Sequence, residues 1–217
     1  MDRNDFLKGE NWYGSYYELA IEFCPDGNDA RLLRAIQALW QSEFLTGPWS
    51  RRENYMASAE MPILLERDPN RLYGLIELPG RDAIGCLSMT VREEEGSDWL
   101  DLCIPTGMLD LIFTVRYPLF SENWGVNPWM DDVEKAFVQI AETVYKASPF
   151  DVAIYGEEVS GYTSSGYMSI ETATPEQLMG GGYLVSPPTF NNLRSSVEGV
   201  TLASGLLWVP YKRPFDK

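Results

Sequence analysis

The sequence predicts an α+β fold: an antiparallel or mixed sheet with a central β-meander, and two main amphipathic helices packed on one face. Three observations carry this. Two stretches repeat apolar residues at the helical period. Three strand-like runs follow one another across short turns, as antiparallel hairpins require. No polar linker and no repeat of roughly 20–50 residues divides the chain, so its 217 residues read as one domain.

The first strand is read at Tyr17–Phe23, where Tyr17, Leu19, Ile21 and Phe23 alternate with Glu18, Ala20 and Glu22. That period of two marks a half-buried strand. Pro25-Asp26-Gly27-Asn28 is a turn, and Asn28 or Asp29 can cap a helix running to about Glu43. Leu32, Leu33, Ile36, Leu39 and Trp40 fall on one face of it. Gly47-Pro48-Trp49 and Asp68-Pro69-Asn70 read as breakers, with an irregular strand between Tyr55 and Leu65.

The three successive strands are Leu72–Leu78, Ala83–Glu93 and Trp99–Ile104, stopped by Pro105-Thr106-Gly107. Met108–Phe120 is apolar and ambiguous. The second helix has Asn127 as N-cap, Pro128 at its first position and Asp131 and Asp132 in its first turn, and ends at Ser148-Pro149. Trp129, Val133, Phe137, Ile140, Ala141 and Val144 form its apolar stripe, and Phe150–Tyr155 reads as a strand. Residues 161–217 are a loop-rich Gly/Tyr/Ser region of the same domain. They hold a short helix at Thr174–Met179 and strands at Tyr183–Val185 and Val200–Tyr211.

Composition excludes more than it names. The chain is 45% hydrophobic and 13% aromatic, ample for a packed core. It contains no histidine, so it can form no Ser-His-Asp or Cys-His system, no imidazole base and no histidine-containing metal site. With 32 acidic against 17 basic residues, the net charge is -15. That balance disfavours nucleic acid and anionic membrane surfaces as partners. No phosphate loop, nucleophile elbow or CxxC pair is present, and no cofactor or metal is implied. Cys24, Cys86 and Cys103 read as small buried hydrophobes of a reducing compartment. The charged Met1-Asp2-Arg3-Asn4-Asp5 start and the lack of a long apolar stretch predict a soluble cytoplasmic protein.

The charge is uneven: residues 86–160 hold 14 acids and 4 bases, residues 161–217 four of each. Glu93, Glu94, Glu95, Asp98 and Asp101 crowd a hairpin turn. They read either as a solvated turn guarding a sheet edge or as an acidic knob for a basic partner. Glu157 and Glu158 follow a strand, where a carboxylate can be held rigidly for acid/base work or for binding. Trp12-Tyr13-Gly14-Ser15-Tyr16-Tyr17, together with Tyr162 and Tyr167, has the Tyr/Ser/Gly chemistry of adaptable binding surfaces.

The function these features favour is a non-enzymatic acidic module that binds a basic protein, of the bacterial immunity or inhibitor type. Its partner-binding residues would be Glu93, Glu94, Glu95, Asp98, Asp101, Glu157, Glu158, Tyr162 and Tyr167, with no catalytic residue. The alternatives are a carboxylate-based hydrolase using Glu157 or Glu158, and a homo-oligomer subunit with Trp124, Trp129 or Trp208 at its interface.

Overall fold

A computed structural model of the chain describes residues 1–59, 63, 65, 71–92, 96–117, 119, 127–160, 182–192 and 199–210. Helices and an antiparallel sheet make up the fold, as the periodicities imply. The described strands are β1 (Tyr16–Phe23), β2 (Leu45–Trp49), β3 (Leu72–Ile76), β4 (Ile84–Arg92), β5 (Asp98–Pro105), β6 (Val152–Glu157), β7 (Gly182–Val185), β8 (Val200–Thr201) and β9 (Leu207–Val209). They form one open sheet in the order β2-β3-β4-β5-β1-β6-β7-β9-β8. The helices are α1 (Arg3–Leu7), α2 (Asp29–Trp40), α3 (Thr106–Ile112), α4 (Met130–Ala147) and α5 (Pro187–Asn192).

The first strand of the chain lies at the middle of the sheet, antiparallel to β5 on one side and β6 on the other, with Leu19 opposite both Leu102 and Tyr155. One sheet face presents Tyr17, Leu19, Ile21 and Phe23 beside Leu100, Leu102 and Ile104. It packs on the apolar stripes of α2 and α4, where Leu32, Ile36, Leu39, Val133, Phe137 and Ile140 are buried. Burying each such side chain contributes about 1.5–3 kcal/mol. Asn28 caps α2 by accepting the Arg31 N–H at 3.0 Å, and the Ser148 hydroxyl ties the end of α4 to the Arg31 carbonyl at 2.8 Å.

The opposite face is covered too. Ala20, Trp99, Val152 and Ile154 pack there with Val159, Tyr183, Val185 and Val209. This corrects the half-buried reading of β1: Glu18 and Ala20, the polar side of the alternation, are buried. A small aromatic cluster of Phe6, Trp49, Trp12 and Tyr55 fastens the N-terminal segment near β2 and β3.

Other boundaries differ for local reasons. Gly47-Pro48-Trp49 does not break the chain but belongs to β2, an edge strand with a register shift between Thr46 and Trp49, where proline removes no ladder bond the sheet needs. Of the irregular strand expected between Tyr55 and Leu65, residues 55–59, 63 and 65 are turn or coil, and the others lie outside the described residues. Asn127 does not cap α4. Its side chain clamps the Arg116 backbone instead, accepting from N–H at 3.0 Å and donating to the carbonyl at 2.8 Å, and the helix begins at Met130. The ambiguous 108–120 stretch begins inside α3, which starts at Thr106, directly where β5 ends. Val200–Val209 is a hairpin of two short strands, closed by a Leu202 N–H to Leu206 carbonyl bond at 2.8 Å. The expected Thr174–Met179 helix lies outside the described residues. Among the described residues no helix is long and apolar enough to cross a membrane.

Candidate functional site

Three segments meet at one end of the sheet: residues 13–16 entering β1, residues 105–117 leaving β5, and residues 157–160 leaving β6. Strand register brings them together. Tyr17 opposite Glu157 sets both glutamates beside Ser15 and Tyr16, and Tyr16 opposite Pro105 sets α3 against residues 13–15. The Thr106 and Gly107 N–H groups donate to the Ser15 and Tyr13 carbonyls at 2.9 and 3.2 Å. Gly14 has φ +89°, and a Cβ there would land on the Thr106 hydroxyl, so the approach requires glycine.

Side-chain bonds then fix the acids. Ser15 Oγ donates to Glu157 Oε1 at 2.7 Å, and Tyr13 Oη donates to Asp110 Oδ2 at 3.2 Å. Glu158 accepts the Tyr16 N–H at 2.8 Å and donates its own N–H to the Tyr16 carbonyl at 2.9 Å. These bonds hold Glu158 at φ +52°, a left-handed conformation that costs a non-glycine residue on the order of 1 kcal/mol. Tyr13 is 58% exposed and Tyr117 49% exposed, with Asp110 and Glu158 also exposed and Glu157 half-buried.

The local field is negative. The Asp110 hydrogen bond and charge raise the Tyr13 hydroxyl above its ordinary range. Partial burial raises Tyr117, with Asp110 and Glu157 adding to it and a Thr106 hydrogen bond opposing. Tyr16 is raised by burial first, while Arg71 pulls it the other way. The arrangement is a tyrosine-lined surface carrying three placed carboxylates, with apolar area and hydroxyls to shape contacts and charge to select a cation.

Three more acids are sealed inside, one on the helix side of β1 and two on the other. On the helix face, Glu134 of α4 accepts from Tyr17 Oη at 2.9 Å, and burial raises its carboxyl to about 7 against the pull of its Tyr17 and Tyr155 bonds. On the other face Glu18 is saturated. Its Oε1 accepts both the N–H and the hydroxyl of Ser160 at 2.8 Å, and its Oε2 accepts from the Cys103 thiol at 3.3 Å. Beside it Asp101 is fully buried, and among the described residues neither of its carboxyl oxygens has a partner within hydrogen-bond distance. Burial raises Asp101 to about 8, with the charge of Glu18 adding to the effect and Ser160 opposing it.

The expected site residues divide accordingly. Glu93, Glu94, Glu95, Tyr162 and Tyr167 lie outside the described residues, as does Trp124. Asp98 and Asp101 do not belong to an exposed knob. Asp98 is buried, accepting the Gly27 N–H at 2.9 Å and pairing with Arg92 at 3.2 Å, which in turn pairs with Asp29 at 2.6 Å. Asp101 points into the covered sheet face, because β5 is buried on both sides. Glu157 and Glu158 do come together with the Tyr13–Tyr16 segment.

Asp110 and Tyr117 join this site without a signal in the sequence, since the ambiguous stretch that carries them gives no position in space. Trp129 is buried and stacked on Phe113 with ring centres 5.1 Å apart, and Trp208 donates to the Tyr155 hydroxyl at 2.9 Å, so neither is a free interface anchor. Cys24 is exposed, whereas burial pushes the Cys86 and Cys103 thiols up. Among the described residues no group of three or more Cys, Asp or Glu side chains is arranged to hold a metal ion. No family model, curated protein or solved structure matches the chain.

Proposed function

We propose that the protein is a non-enzymatic binding module that docks an acidic, tyrosine-lined surface on a basic protein, in the manner of an immunity or inhibitor protein masking a cationic site. The observation that carries this reading is the convergence of Tyr13, Tyr16 and Tyr117 with Asp110, Glu157 and Glu158 at one end of the sheet, drawn from segments far apart in the chain. The net charge of -15 supports it, because an acidic surface steers a basic partner and fixes its register. The hydrolase alternative, which rested on Glu157 or Glu158, is less well supported: the two strongly raised carboxyls are Asp101 and Glu134, both buried in the core.

The test is affinity capture from the native host on immobilised protein, beside an Asp110→Lys/Glu157→Lys/Glu158→Lys variant that keeps its thermal stability. A basic protein retained by the native chain, eluted by salt and not retained by the variant is the expected result. Equal retention on both columns, or on neither, overturns the proposal.

A further inference from the structure

The buried group around Asp101 is unlike the rest of the core. Both side-chain oxygens of Glu18 are engaged, whereas among the described residues the two oxygens of Asp101, equally deep, have no partner within hydrogen-bond distance. An ionised carboxylate left that way is strongly disfavoured, and the neighbouring Glu18 charge adds to the penalty. The groups facing Asp101 offer no relief. In the ladder it stands opposite Ala20 on β1 and Met89 on β4, both neutral. The titratable groups beside it are Glu18 and the Cys103 thiol, and Cys103 is further influenced by Cys86. No cation figures among the described groups that set its charge. The Ser160 hydroxyl donates to Glu18 at 2.8 Å, and it lies close enough to Asp101 to oppose the rise that burial imposes there.

We propose that Glu18, Asp101 and Ser160 form a proton-operated latch, closed while Asp101 is a neutral acid, that holds the chain leaving β6 against the sheet at Ser160. A neutral Asp101 coexists with the Glu18 charge and leaves the Ser160 hydroxyl bonded to Glu18. Loss of its proton puts two negative charges side by side in a dry site. Relief requires water or a donor, and the Ser160 hydroxyl that closes the latch is a donor beside it. Turning the hydroxyl to Asp101 leaves Glu18 only the Ser160 N–H, and water admitted between the two charges competes for that N–H, so the contact opens. The latch sits two residues from Glu158, but it needs no docking partner, so its test stands apart from that of the binding surface.

The test is amide hydrogen exchange on the full chain across pH, corrected for the intrinsic rate, read at the Ser160 amide. The interior amides of β1 serve as the control. Closure holds a proton that the open form releases, so protection is greatest at low pH. It falls as pH rises toward the folded titration point near 8 and levels off above it. The expected slope is about tenfold per pH unit, the signature of one proton. Asp101→Asn keeps the shape and a donor, so its Ser160 protection stays flat. Glu18→Gln retains the acceptor and removes the charge, so the levelling-off moves to lower pH. A flat profile in the native chain, an unchanged slope in Asp101→Asn, or an unmoved plateau in Glu18→Gln each overturns the latch. If Asp101→Asn does not fold, the native profile and Glu18→Gln decide it.

Discussion

Replacing Glu134 with glutamine tests how the core tolerates its acid on the helix face. Glu134 is buried with 6% of its surface exposed, and accepts the Tyr17 hydroxyl at 2.9 Å. Burial raises its carboxyl from 4.5 to about 7. A carboxyl raised on folding stabilises fully below its unfolded value, and that stability is lost as pH rises through the folded value. The window is therefore about pH 4.5 to about 7, and at about 1.4 kcal/mol per pKa unit the loss is on the order of 3 kcal/mol. Glutamine keeps an oxygen for the Tyr17 hydroxyl and cannot ionise. Urea unfolding of the native chain and of Glu134→Gln at pH 5 and pH 8 supplies the comparison. Glu134→Gln is expected to lose less stability than the native chain between the two conditions, by about 2–3 kcal/mol. Asp101 contributes a slope of the same sign to both proteins and cancels in the difference. An identical pH dependence in the two proteins would show that Glu134 stays ionised in the core and that the assignment is wrong.

Other consequences are quicker to check. Gly14→Ala combines an unfavourable φ with a clash on Thr106, so it should destabilise by about 1–3 kcal/mol, read as a lower thermal midpoint. An unchanged midpoint would mean that residues 13–15 do not pack on α3. A thiol reagent should modify one cysteine in the folded chain, Cys24, and three after unfolding, because Cys86 and Cys103 are buried with raised thiols. Rapid modification of all three without denaturant would contradict the covered sheet.

Much of the fold was legible because its signals are local. The Asn28 cap, the α4 stripe and the hairpin spacing all depend on neighbours within a few residues. The errors fall where position across the sheet decides. Glu18 and Asp101 occupy polar places in their strands, and a period of two cannot reveal that the second face is also covered. Gly47-Pro48 reads as a breaker until β2 is known to be an edge. The candidate surface was half visible. The Tyr13–Tyr16 segment and Glu157-Glu158 each stand out in sequence, but only the β1–β6 pairing joins them. Asp110 and Tyr117 enter through the packing of α3, a long-range contact with no sequence period to announce it.

The docking surface is tested most directly by the rate at which a captured partner associates with the native chain and with Glu157→Lys/Glu158→Lys, measured across salt concentrations. If these carboxylates steer a basic protein, the variant associates at least about tenfold more slowly at low salt, and the two rates converge at high salt. Equal association rates at low salt would contradict it and move the binding site elsewhere on the molecule.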